Sequence, residues 1–335
     1  SITSLKVTGT INARDFKFIA DNLLALSEID LSEVTIAAYC NEETATFGAD
    51  NNFAAASIPC TSFFGKPITS VMLPASVKSI GFAAFAGCDQ LTTIAFPASL
   101  DSISGYAFSG SGLTSVELPA SVKTVGEGAF ARCENLESAT VGSENIGKDA
   151  FYADAALAAL TLNKEVKTIG DGAFKSCSAL TGINIEGSEL ESIGNEAFAY
   201  TSISALDLSA QKSLKTVGGW ALAKTPISTA TLPNSVSSVG EGTFFYAAQL
   251  ETTNLPDSLT TVPAFTFAGA EALVGESIVP ATATEMGDFS FYNACAMANF
   301  AIPKSINRIG TKAMAGMTGL DTIKAHSDAV PALGD

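Results

Sequence analysis

The chain has 335 residues, of which 47% are hydrophobic and only 16% charged, and its formal net charge is −16. That length makes two or three ordinary domains or one long repeat array. The acidity argues against nucleic acid, which needs an excess of Lys and Arg, and equally against an anionic membrane surface.

No apolar run approaches the ~18–20 residues that span a bilayer, so no membrane insertion is expected. Ser1 is not followed by a charged-then-apolar leader. A signal peptide already removed and a shortened start agree equally with that.

Residues 1–65 form an N-terminal capping region that does not follow the later period. The stretch "ARDFKFIADNLL", residues 13–24, places Phe16, Ile19 and Leu23 on one helical face. Residues 26–31, "LSEIDL", supply a first strand. A helix plus a strand would cover the open end of a repeat array.

From residue 66 to 325 the chain repeats itself. Aligning on Ile/Val-Gly-x-x-Ala-Phe puts Phe85, Phe108, Phe130, Phe151, Phe174, Phe198, Leu222, Phe244, Phe267, Phe291 and Met314 in one column, 21 to 24 residues apart. About eleven units at a nearly fixed period predict a solenoid. Each unit opens with an alternating L-x-x-I-x-L phrase that reads as a short strand, as in residues 91–96, 180–185 and 320–325. Pro-x-Ser-Val/Leu follows at Pro74, Pro119, Pro233 and Pro256, where proline ends the strand and turns the chain. The third part runs through Ile/Val-Gly to Ala-Phe, a second short extended piece and then a helical or 3₁₀ turn. Gly81, Gly126, Gly170, Gly194 and Gly240 are expected to supply a backbone conformation closed to other residues.

One such unit cannot bury its own Leu, Ile, Val and Phe, but stacked neighbours can. At a strand spacing of ~4.8 Å, eleven units make a curved rod roughly 50 Å long. Ser104 and Pro263 replace the repeat glycine, and residues 273–280 are irregular, so bulges are expected there. The tail, residues 326–335, reads as the start of a closing segment cut short.

The whole phrase L-x-x-I-x-L-P-x-S-V-x-x-I-G-x-x-A-F-x-x-C resembles the BspA-like, or treponemal-type, leucine-rich repeat. The resemblance implies an α/β leucine-rich-repeat solenoid with a curved parallel β-sheet. It also implies surface display and adhesion in bacteria, with the strand face lining the concave side.

Chemistry is sparse. Cys88, Cys133 and Cys177 follow their phenylalanines by three residues, in a column that elsewhere holds Ser111, Asp154, Thr201, Thr225, Ala247 and Ala270. They read as small buried hydrophobes. Two repeats separate them by roughly 10 Å, beyond the ~7 Å limit for a bridge. Cys40 and Cys60 lie outside the array and form a candidate pair. No C-x-x-C is present, and the lone histidine, His326, reads as an exposed tail residue. No phosphate loop, zincin motif or calcium loop is found, so no cofactor, metal or catalytic residue is assigned. Glu127, Asp171, Glu241 and Asp288 follow repeat glycines and read as a solvated column at the start of the turn.

Two faces remain. Outward strand positions, such as Ser70, Thr93, Ser115, Thr161, Thr229 and Thr252, are small, hydroxyl-rich and nearly free of charge. Aromatics gather elsewhere. Tyr106, Trp220, Phe265 and Phe289 stand two residues before the repeat Phe or Leu, and Phe245, Tyr246 and Tyr292 immediately follow it. These seven are the candidate binding edge. The expected protein is a non-enzymatic, monomeric binding module, secreted or at a cell surface, whose partner is a host or neighbouring-cell protein or glycan. A polysaccharide-acting parallel β-helix and a surface spacer stand as alternatives.

Overall fold

A computed structural model describes residues 1–40, 52–185, 187–276, 278–326 and 331–334. The fold divides into two compact units, Ser1–Val166 with Asn184–Gly187, and Lys167–Ile183 with Ser188–Asp335. Each is a parallel β-solenoid, and a single α-helix occurs among the described residues.

The first unit opens with strand β1 (Ser4–Ile11), helix α1 (Ala13–Asn22) and strand β2 (Glu28–Ile36). The sequence signals the helix and the second strand but not β1, which precedes the periodic region and pairs with β2 in parallel. Asn12 caps α1, accepting from Arg14 N while Asp15 accepts from Asn12 N, a reciprocal capping box. Phe16 and Ile19 are buried, whereas Leu23 is only half-buried because it is the C-terminal cap residue. The helix carries no basic residue in its last turn. Lys66 supplies one from afar, its Nζ donating to the Ala20 and Leu23 carbonyls at 2.9 and 3.0 Å.

Beyond β2 the coils stack in register. Ile58, Ile80, Ile103, Val125 and Ile146 pair in parallel one above the next, each at most 1% exposed. Phe63, Phe85, Phe108, Phe130 and Phe151 form a second column of fully buried rings. Their centroids are 5.0 to 5.3 Å apart and their planes within 17° of parallel. The column begins at Phe63, inside the segment assigned to the cap, and Phe16 closes it edge-on at 6.2 Å. The Pro corners are β-turns, with Val77 N donating to Pro74 O and Val122 N to Pro119 O. On the strand side, 115–117, 138–141 and 159–162 pair in parallel. Residues 91–96 form no strand, contrary to expectation. Phe96 stands where the next coil has Leu118, and its ring turns edge-on to Phe108 and Phe130 at 5.6 and 6.4 Å.

The second unit repeats this plan. Ile169, Ile193, Val217 and Val239 form one ladder, and Val262, Met286, Ile309 and Leu333 another. The gap falls at Pro263. In regular coils the glycine N–H bonds the preceding coil, as Gly240 N does to Val217 O, and proline has no N–H to offer. Ser104, the other departure, keeps its bond to Ile80 O and the ladder continues. Of the closing segment, residues 327–330 and Asp335 lie outside the described residues. Ala332–Leu333 pairs with Arg308–Ile309 at the place of another Ile-Gly step.

The repeat glycines need a correction. Gly81, Gly126, Gly194 and Gly240 do not have positive φ; they are required by close approach. A Cβ on Gly240 would lie 2.2 Å from Gly219 N, and one on Gly126 2.6 Å from Gly105 N. The left-handed positions lie elsewhere, two residues before and two after the core Phe. Ala83 and Gly87, for example, have φ of 51° and 69°. In these turns N–H groups alternate between their own coil and the next. Ala84 N bonds Gly81 O, while Phe85 N bonds Ala107 O. The i→i+3 bonds are those of a 3₁₀ turn, but each left-handed residue stops it from winding into a helix.

Candidate functional site

The left-handed positions carry four rings of the aromatic edge, Trp220, Tyr246, Phe265 and Phe289. Trp220, Phe265 and Phe289 have φ of 59°, 58° and 55°, where Gly242 occupies the same column at 60°. Left-handed backbone costs an L-residue about 1–2 kcal/mol. The solenoid enforces it by bonding each N–H to the next coil: Trp220 N to Glu241 O, Phe265 N to Asp288 O, and Phe289 N to Thr311 O. These side chains leave the coil half-buried, while Leu222, Phe267 and Phe291 two residues on enter the core.

Six of the seven sequence-selected aromatics meet in the second unit. Phe245 lies 4.7 Å from Trp220, 4.5 Å from Tyr246 and 6.3 Å from Phe265 between centroids. Trp220 and Phe265 are 6.0 Å apart, Phe265 stacks on Phe289 at 5.1 Å and 4°, and Tyr292 meets Phe289 at 5.6 Å. Lys312 Nζ sits 6.0 Å from the Phe289 ring centroid. Tyr106 is not part of this group. It stands in the first unit, edge-on to Phe82 at 5.7 Å, and its hydroxyl donates to Glu127 Oε1 at 3.1 Å. That hydrogen bond, with burial and the Glu127 charge, moves the phenol pKa above its ordinary value.

Tyr200, outside the seven sequence-selected aromatics, is 44% exposed, with Lys224 Nζ 5.1 Å from its ring centroid. It stands two residues after Phe198, and Lys224 and Tyr246 hold the equivalent left-handed positions in the next two coils. That offset is the signal that would have found it.

Glycines in the adjoining coil make room for the rings. A Cβ on Gly242 would lie 2.5 Å from Trp220 Cε3, and one on Gly269 3.1 Å from the Tyr246 ring. Gly242→Ala is therefore expected to push the indole off the edge. Trp220 is the chain's one tryptophan, so a red-shifted emission and stronger acrylamide quenching would report the move directly. An unchanged spectrum in the folded variant would show that the glycine does not seat the ring.

The remaining candidates settle into the scaffold. Asp171 Oδ1 accepts from Asn195 N at 2.6 Å, Asn195 Oδ1 from Gly219 N at 2.8 Å, and Asp288 Oδ1 from Thr311 N at 2.8 Å. Residues after the repeat glycine thus bond the backbone of the following coil. Glu127 faces Lys148 at 3.8 Å. All six cysteines are thiols, Cys40 and Cys60 included. Burial pushes Cys88 and Cys133 up to about 12, and their Sγ atoms donate to Phe63 O and Phe108 O. Such thiols are poor nucleophiles. His326 is exposed. Among the described residues no group of three His, Cys, Asp or Glu is placed to hold a metal.

Stacked parallel strands, Pro corners and a phenylalanine column in coils of this length define a leucine-rich-repeat solenoid. Residues 56–180, 144–274 and 243–331 match the sequence profile of the BspA type Leucine rich repeat region (6 copies), and the chain belongs to that family. A leucine-rich repeat protein from Bacteroides ovatus ATCC 8483 shares the fold, with a TM-score of 0.77 at 21% identity over 99% of this chain and 83% of its own. A leucine rich cell surface protein from Faecalibacterium prausnitzii A2-165 aligns over 85% of this chain and 86% of its own, at 19% identity and a TM-score of 0.40. The Leucine Rich Repeat protein of T. pallidum reaches 30% identity over 43% of this chain and 69% of its own, with a TM-score of 0.40. No match is found among curated proteins.

Proposed function

We propose that the chain is a non-enzymatic binding protein of the bacterial surface, and that the aromatic edge of the second unit engages a protein or glycan of a host or neighbouring cell. The observation that carries this reading is the run of six touching rings from Trp220 to Tyr292, four of which (Trp220, Tyr246, Phe265 and Phe289) stand at left-handed backbone positions that the scaffold enforces at a cost. Rings left half in water lose little entropy on binding and offer faces for sugars or edges for peptide side chains. Family membership supports display at the cell surface.

The test is binding of the purified chain to an array of extracellular-matrix proteins and host or dietary glycans. A reproducible hit that Trp220→Ala or Phe245→Ala weakens at least about tenfold, the loss expected at a binding hot spot, supports the reading. A hit indifferent to both substitutions moves the site elsewhere, and a blank array favours the spacer.

A further inference from the structure

Trp220, Gly242, Phe265, Phe289 and Lys312 stand in one column on successive coils. Trp220 lies over Gly242, where a Cβ would come within 2.5 Å of the indole, and meets Phe265 at 6.0 Å and 31°. Phe265 is thus set between Trp220 and Phe289. Phe289 in turn is set between Phe265 and Lys312, whose Nζ is 6.0 Å from the ring centroid. Tyr246 lies over Gly269, and Phe245 meets Trp220, Tyr246 and Phe265 at 68° to 78°. Ring faces are therefore taken up by one another, by glycine and by lysine, and the rims are left to solvent. A pyranose is held by laying its weakly positive C–H face on the negative face of a ring, and Phe265 and Phe289 have none to offer. Rims carry the positive end of the ring quadrupole and suit carbonyl oxygens, carboxylates and apolar side chains. An extended polypeptide presents all three.

Tyr200, Lys224 and Tyr246 form a second column of the same turns, with φ of 61°, 55° and 52° on successive coils. Tyr200 N bonds Ala223 O and Lys224 N bonds Phe245 O, so the three side chains leave the backbone one strand spacing, ~4.8 Å, apart. Tyr200 and Tyr246 are 44% and 49% exposed, and Lys224 is exposed between them. Among the described residues Lys224 meets the Tyr200 ring but forms no ion pair. One ammonium between two phenol hydroxyls sets three donors in a row, which fits a carboxylate. The net charge of −16 opposes a polyanion, but screening over ~8 Å leaves a single carboxylate at Lys224 attracted.

We infer that the aromatic edge takes an extended polypeptide segment, with apolar side chains on the ring rims from Trp220 to Phe289 and an acidic side chain at Lys224. This rests on the binding role proposed for the edge and narrows its partner from protein or glycan to protein.

Binding of the full chain to immobilised random-sequence peptides, printed beside neutral, sialylated and sulfated glycans, tests it. Peptide hits that combine apolar residues with Asp or Glu are expected. On the strongest of them Trp220→Ala should lower affinity at least about tenfold, as at a hot spot. Lys224→Met should lower it about two- to fivefold, the worth of an exposed ion pair, and should have no effect once the peptide's acid is changed to its amide. Circular dichroism checks the fold, and Phe245→Ala takes the place of Trp220→Ala if that variant does not fold. A glycan hit that Trp220→Ala abolishes overturns the inference while leaving the edge a binding site. Peptide hits indifferent to both Trp220→Ala and Phe245→Ala overturn the inference and the binding role of the edge together. An array without peptide hits overturns the inference, as do peptide hits indifferent to Lys224→Met.

Discussion

Phe108→Ala is expected to destabilise the first unit by about 3–5 kcal/mol, the range for emptying a fully buried aromatic site. Phe108 is 0% exposed and lies 5.2 Å from Phe85 and 5.3 Å from Phe130, nearly parallel to both, with Phe96 edge-on at 5.6 Å. Removing it strips three rings of their neighbour at once. The cavity cannot collapse readily, because the coil spacing is fixed by backbone bonds such as Phe108 N to Ala129 O and Phe85 N to Ala107 O. Leu222 shows that the column accepts a branched aliphatic residue, so Phe108→Leu should cost less than about 1.5 kcal/mol. Urea unfolding followed by circular dichroism separates the two variants. A loss below about 1 kcal/mol in Phe108→Ala would mean that the strands, not the ring stack, hold the coils together.

The same logic explains what could be read from the sequence. A repeated environment is sampled many times along one chain, so the phenylalanine column, the Ile/Val column and the proline corners stand out without any structure. Properties that belong to a single coil do not repeat and are lost. β1 lies before the period, and residues 91–96 leave the ladder although their pattern matches their neighbours'. Conformation was harder to read than burial. Glycine recurs in two columns for different reasons. Gly126 and Gly240 yield to the backbone of the coil beside them, whereas Gly128 and Gly242 sit at left-handed turns. The second column is also where Tyr106, Trp220, Phe265 and Phe289 appear, which is why those rings point away from the core. Pairing glycines with aromatics by column would have revealed the edge as a consequence of the turn. Tyr200 would have followed from the equivalent position after the phenylalanine.

Asp154→Asn should raise the stability of the first unit at neutral pH, although the substitution removes a charge from a charge-poor protein. Asp154 stands in the column that holds Cys88, Ser111 and Cys133, fully buried, with Oδ1 accepting from Cys133 N at 2.8 Å and Oδ2 lacking a hydrogen-bond partner. Burial drives its carboxyl well above the usual range, against a smaller opposing pull from the Cys133 N–H. A carboxyl raised in the folded state binds more protons there than in the unfolded chain. Stability then falls as pH climbs from about 4, the unfolded value, by up to about 1.4 kcal/mol per pH unit, until the folded group also ionises. The buried thiols, raised to about 12, play no part in this window. Asparagine keeps the acceptor for Cys133 N and never ionises. The two proteins should therefore match most closely near pH 4 and diverge toward pH 7, with the variant the more stable. Melting temperatures across that range decide it. Parallel curves with wild type higher throughout would mean that Asp154 is ionised and held by a partner of opposite charge.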